Sequence, residues 1–130
     1  LAQRNYEVDT RMAADFSAND LKKYDLVVLH QLPSSKYLIQ SVLDEINKQQ
    51  IPKIFLTGYQ TDLYAFNKAQ TLLNIDYTGN RSPNEVTMIY NPGFNSFNTS
   101  DELRNKLGTF SPLLSPFGEY AASPSAQALA

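Results

Sequence analysis

The hydrophobic pattern changes period several times along the chain, and each change marks an element. Residues 6–10 (YEVDT) alternate apolar and polar side chains, which predicts a short strand. Residues 19–23 can form one helical turn. In residues 24–30 (YDLVVLH) the run Leu26-Val27-Val28-Leu29 is continuously apolar and rich in branched side chains, the pattern of a parallel-sheet strand covered on both faces. Pro33-Ser34-Ser35 breaks that strand and offers a hydroxyl N-cap. Over residues 36–50 the positions Ile39, Val42, Leu43 and Ile46 recur at helical spacing, with Gln40, Asp44, Glu45, Asn47 and Lys48 on the wet side. Ile51-Pro52 ends that helix and opens a second buried strand at residues 53–56, where a proline at the first position removes no ladder donor. Residues 57–61 (TGYQT) predict a tight turn. Thr61 is placed to cap a helix over residues 62–73 that turns Leu63, Phe66, Ala69 or Gln70, and Leu73 inward. Strand, helix, strand, helix at these lengths is a βαβα unit, with a right-handed crossover and a parallel pair.

Beyond Leu73 the pattern is more broken. Residues 74–84 are polar and rich in turn formers, including Gly79-Asn80 and Ser82-Pro83-Asn84. Residues 85–90 (EVTMIY) read as a strand, Asn91-Pro92-Gly93 as a turn and residues 94–97 as the return strand of a hairpin. Thr99-Ser100-Asp101-Glu102 has the form of a capping box, with the Thr99 hydroxyl at one end and the Glu102 carboxylate reaching back. The short helix it opens stops at Gly108. Residues 109–130, with Pro112, Pro116 and Pro124, read as an irregular segment held by its aromatic side chains, ending at 127–130 in the first residues of a strand. The chain opens on Leu1 rather than Met, the mark of an excerpt or a processed product.

Length and composition narrow the chemistry. The 130 residues suit one domain, 1–130, and 42% apolar side chains are enough for a core. With 11 basic against 13 acidic residues the net charge is -2, which is no footprint for nucleic acid or anionic membrane. The absence of cysteine excludes disulfides, thiolate metal sites and a cysteine nucleophile, and a single histidine excludes a histidine-rich metal cluster. No phosphate loop is present, so no cofactor is expected. No apolar run approaches the roughly 18 residues of a membrane span, so this segment is not expected to insert in a membrane.

In open α/β sheets, ligands bind beyond the carboxyl ends of the strands. Two loops occupy such ends, residues 30–34 and 57–61, which makes His30, Gln31, Tyr59 and Gln60 the polar groups expected to line a crevice. The second loop has the layout of a nucleophile elbow: buried strand, sharp turn with Gly58, then a helix opened by Thr61. An elbow needs Ser or Cys at its tip, and Tyr59 or Gln60 cannot perform that step at neutral pH. The candidate ligand-binding set is therefore His30, Gln31, Gly58, Tyr59, Gln60 and Thr61, with no catalytic residue. Each has a plainer reading: a lone histidine is more often structural, and such a turn persists because it packs well. A hydrolase built on Thr57 or Thr61 with His30 would need a hydroxyl bonded to the imidazole. Asp62, Asp101 and Glu102 sit in first helical turns, where the helix dipole accounts for them.

Strand, helix, strand and elbow, taken with NEVTMIYNPGFNSF, SDEL and SPFGEY, resemble a class I glutamine amidotransferase-like domain. More specifically, the chain is similar to the divergent domain of that type in large bacterial membrane-anchored proteins. Those proteins also carry an aerotolerance-type N-terminal membrane region and often a von Willebrand type A-like module. The resemblance covers residues 6–130. It implies a three-layer α/β sandwich with a mostly parallel sheet, flavodoxin-like and truncated at both ends, its first strand lying upstream and its last continuing past Ala130. It also implies a place at the periplasmic face of a bacterial inner membrane, with a protein partner or flanking domains of the same polypeptide. Working amidotransferases place Cys in the elbow and His with Glu late in the chain. Here the elbow maps to residues 58–61 without its Cys, and no His follows it. The expected function is a catalytically degenerate module for assembly or sensing, not an enzyme. The alternative is a domain that binds a small polar ligand, sugar or peptide, in the strand-end cleft.

Overall fold

The computed structural model describes residues 6–77 and 82–130. After a 3-10 helix at Ala18–Lys23 come β1 (Val27–His30), α1 (Gln40–Gln49), β2 (Lys53–Leu56), α2 (Leu63–Ala69) and β3 (Leu73–Asp76). The second half holds β4 (Asn84–Val86), α3 (Asp101–Leu107), β5 (Leu113–Ser115) and β6 (Glu119–Ala122). The 3-10 helix is capped by Ser17, whose hydroxyl accepts from the Asn19 amide, and it buries Leu21 completely against Val42 and Ile46 of α1. Phe16, Val27, Ile39 and Ile51 close around that cluster. Upstream, the Tyr24 hydroxyl donates to Asp9 Oδ2 at 2.6 Å and Arg11 Nε donates to the same oxygen at 3.0 Å, pinning the N-terminal segment near the base of β1.

The helix α1 starts later than its sequence predicts. Ser34 does not cap it; the Ser34 hydroxyl and carbonyl both accept from the Tyr37 amide in a separate turn. The helix instead begins behind Ile39, which sits at φ 49 with no side-chain cap. At the other end Gln50 takes φ 57 and returns its amide to the Ile46 and Asn47 carbonyls, a left-handed stop of the kind glycine usually makes.

Strands β1 and β2 pair in parallel from Val27↔Lys53 to His30↔Leu56, so the βαβα unit is present. Its cover differs from the sequence expectation. Paired residues of parallel strands share a face, and Val27 packs in the α1 cluster while Phe55 meets Phe66 of α2 edge-on, with centroids 5.3 Å apart. Both helices therefore lie on one side of the pair. The opposite face keeps Leu26, Val28, Ile54 and Leu56 exposed.

Several boundaries move for identifiable reasons. Asp62, not Thr61, caps α2 by accepting from the Ala65 amide at 2.9 Å. Gln70 is extended and its side chain accepts from the Leu72 and Leu73 amides, so Leu73 opens β3 instead of closing the helix. The Asn67 side chain holds β3 to α2, accepting from the Ile75 amide and donating to the Ile75 carbonyl, both at 3.0 Å. β3 arises in a stretch predicted as loop and pairs antiparallel with β6, which arises in a stretch predicted as irregular. β4 is shorter than predicted and pairs with β5, so the hairpin with residues 94–97 does not form. The Asn91 turn does form, closed by the Phe94 amide on the Asn91 carbonyl at 3.1 Å. Residues 6–10 and 127–130 are not strands; the latter are held by Asn91 and Asn95. Ser100 rather than Thr99 caps α3, and Glu102 bonds Lys106 rather than reaching back. Thr99 is buried instead, bonded to the Tyr90 hydroxyl and Arg104 Nε. Gly79-Asn80 lies outside the described residues.

The protein is thus a mixture of helix and strand with small sheets, one parallel and two antiparallel among the described residues. No helix among them is long and apolar enough to cross a membrane.

Ile46→Ala should cost about 2–5 kcal/mol, read as a lower urea midpoint, because it opens a cavity where Leu21 has no exposed surface. The Tyr24 hydrogen bond, with Arg11 as a lesser influence, lowers the Asp9 pKa from its ordinary 3.8, and the bond to Asp9 raises that of Tyr24 from 10.0. The tether's contribution is therefore present from above 3.8 to below 10.0. It is lost as pH falls through the folded Asp9 value or rises through the folded Tyr24 value. The stability difference between the native chain and Tyr24→Phe should shrink at both extremes in a series of urea titrations.

Candidate functional site

The turn after β2 is closed by Thr61. The Gly58 amide donates to Thr61 Oγ1 at 3.0 Å, and the Thr61 amide donates to the Gly58 carbonyl at 3.0 Å. Thr61 also forms an isolated bridge with Ser34, and the Asp62 amide reaches the Pro33 carbonyl at 2.9 Å, next to a cis Leu32–Pro33 bond. The two strand-end loops meet, as their positions predict.

Gln31 joins them. Its amide continues the β1–β2 ladder to the Leu56 carbonyl at 2.8 Å, and its backbone then takes φ 52. The side chain lies across the turn, where Oε1 accepts from the Gln60 amide at 3.2 Å. Gly58 is required by this approach, because a Cβ there would meet Gln31 Oε1 at 2.8 Å and Cδ at 2.9 Å. In an elbow, the amide following the nucleophile position serves a developing oxyanion. Here the Gln60 amide, which follows Tyr59 in the turn, is bonded to Gln31.

The six candidate residues consequently separate into three groups. Gln31, Gly58 and Thr61 build the inside of the turn. Tyr59 and Gln60 point outward and bond each other, Gln60 Nε2 donating to the Tyr59 hydroxyl at 3.0 Å. His30 is exposed at the end of β1, beside Leu56 in the register, and its imidazole makes no hydrogen bond among the described residues. Gln31 leaves the strand at φ 52 and lays its side chain over the turn, a contact His30 does not share. The Thr61 hydroxyl accepts from the Gly58 amide and makes no bond to the imidazole.

Tyr59, Gln60 and Thr61 form one wall of an open cleft of about 630 Å³. Ser34, Ser35 and Lys36 come from the first loop, Asp62 and Tyr64 from the start of α2, and Tyr77 and Phe117 from the β3–β6 region. Sequence reading missed Lys36, Tyr64, Tyr77 and Phe117 as site residues. Tyr64 carried a signal, an aromatic on the outward face of a predicted helix. Tyr77 and Phe117 carried none, because the strands that bring them together were not foreseen. A smaller cleft of about 140 Å³ lies along β1, with the mutually bonded Asp9 and Tyr24 in its lining. Among the described residues no cluster of three His, Asp or Glu side chains is arranged to hold a metal. Comparison of the chain with protein-family models, curated proteins and solved structures finds no match.

Gly58→Ala should displace the Gln31 amide and cost about 1 kcal/mol, the value of the hydrogen bond lost. In a Gln31→Ala background that further cost should shrink, a coupling measurable by urea denaturation of the double-mutant cycle. Gly118→Ala should be worse than Gly58→Ala, since a Cβ at 118 would lie 2.5 Å from the Asp76 backbone oxygen.

Proposed function

We propose that the chain is a catalytically degenerate amidotransferase-like module that acts in assembly or sensing within a larger membrane-associated protein. The βαβα unit belongs, on this reading, to a three-layer, flavodoxin-like sandwich. The observation that supports non-catalytic use is the bond from the Gln60 amide to Gln31 Oε1, with Tyr59 where a nucleophile would stand. The sandwich is supported by the parallel β1–β2 pair with both helices on one side. Parallel strands are normally covered on both faces, and the exposed Leu26, Val28, Ile54 and Leu56 are where a third layer would lie.

A second reading, a binding domain for a small polar ligand such as a sugar or peptide, is favoured by the cleft beside the elbow. Its volume falls within the roughly 300–1,000 Å³ of small-molecule sites.

Incubation with L-glutamine, followed by an ammonia assay, tests the absence of turnover. The chain and Gln31→Ala, which uncovers the Gln60 amide, should both release no ammonia above the buffer rate. Ammonia release that disappears in His30→Ala or Thr61→Ala overturns the non-catalytic reading.

A further inference from the structure

We infer that the cleft beside the elbow binds a carbohydrate chain, an inference that rests on the ligand-binding reading of that cleft. Three tyrosine rings stand out into water around it: Tyr59 at 69%, Tyr64 at 72% and Tyr77 at 51% exposure. Two of these rings are held in place before any ligand arrives. Tyr59 is bonded to Gln60 at 3.0 Å, and Lys68 Nζ sits 4.2 Å from the Tyr64 ring centroid. Rings positioned in advance lose little freedom on binding. The same cleft is lined by Lys36 and Asp62, one positively charged donor and one negatively charged acceptor. Asp62 uses Oδ1 for its helix cap, and Lys36 Nζ faces only the Tyr37 ring, 5.1 Å from its centroid.

This combination selects by chemistry. An apolar ligand would bury Lys36 and Asp62 without partners, which is unfavourable. A strong anion or cation would meet a like charge as well as an opposite one. A peptide bound through its backbone needs a row of main-chain donors and acceptors. The turn supplies no such row, because the amides of Gly58, Gln60, Thr61 and Asp62 are bonded within the protein and only that of Tyr59 lies open between them. What remains is side-chain recognition of a neutral ligand with apolar faces and a hydroxyl rim, which describes a pyranose. Its C–H faces suit the tyrosine rings, and its hydroxyls suit Lys36 and Asp62.

The test is an NMR titration of the isotope-labelled full chain with maltotriose, cellotriose and chitotriose, and separately with tri-alanine. Saturable shifts of Tyr59, Tyr64 and Tyr77 are expected with at least one trisaccharide. Tyr59→Ala should weaken that binding about tenfold, whereas Tyr59→Phe, which keeps the ring but loses its bond to Gln60, should weaken it less. Glu102→Gln on α3 should bind like the native chain. Trisaccharide binding that Tyr59→Ala leaves intact overturns the assignment to this cleft. Saturable shifts with tri-alanine alone overturn the carbohydrate inference and keep the ligand-binding reading. No saturable shift with any of the four overturns both.

Discussion

Leu21 packs with no exposed surface against Val42 and Ile46, and the seating of α1 against β1 depends on that contact. It fixes α1 behind β1 with Val27 in the same cluster, so the chain must cross back and lay β2 beside β1. Burying side chains of this size contributes about 1.5–3 kcal/mol each. Three of them matter against a net stability of about 5–15 kcal/mol. Once β2 is in register, Gly58 arrives opposite Gln31 and the two strand-end loops close on each other.

The closed turn is bonded at its centre and open at its rim. The amides of Gly58, Gln60, Thr61 and Asp62 are satisfied within the protein, by Thr61 Oγ1, Gln31 Oε1 and the Gly58 and Pro33 carbonyls. The same bonds hold Tyr59 and Gln60 outward, where they form a wall of the larger cleft. Rigidity inside and accessibility outside are two effects of one hydrogen-bond network.

The βαβα unit was legible because its signals are strong and local: the run Leu26 to Leu29, the spacing of Ile39, Val42, Leu43 and Ile46, and the stop at Pro52. Helix starts were misjudged by one residue at two places for a shared reason. In both Thr61-Asp62 and Thr99-Ser100 either side chain has the chemistry of a cap, but the threonine is buried and committed to a tertiary bond, so its neighbour caps the helix. The second half was not legible because β4, β5 and β6 are three or four residues long and mostly exposed, while β3 alternates over only four residues, too few to stand out among turn formers. Their pairings, such as Asp76↔Glu119, also join distant parts of the chain. The candidate site was legible as a place, the meeting of two strand-end loops. It was not legible as a set of side chains, since His30 and Gln31 diverge and the cleft draws on Tyr77 and Phe117.

The two crowded glycines have different histories open to them. The space over Gly58 is filled by a neighbouring side chain, so a shorter residue at 31 makes room for a larger one at 58, and the two positions can drift together through compensating changes. The space over Gly118 is filled by the main chain of Asp76, which every residue type shares. No exchange of side chains elsewhere relieves it, so glycine is bound to position 118 more strictly than to position 58.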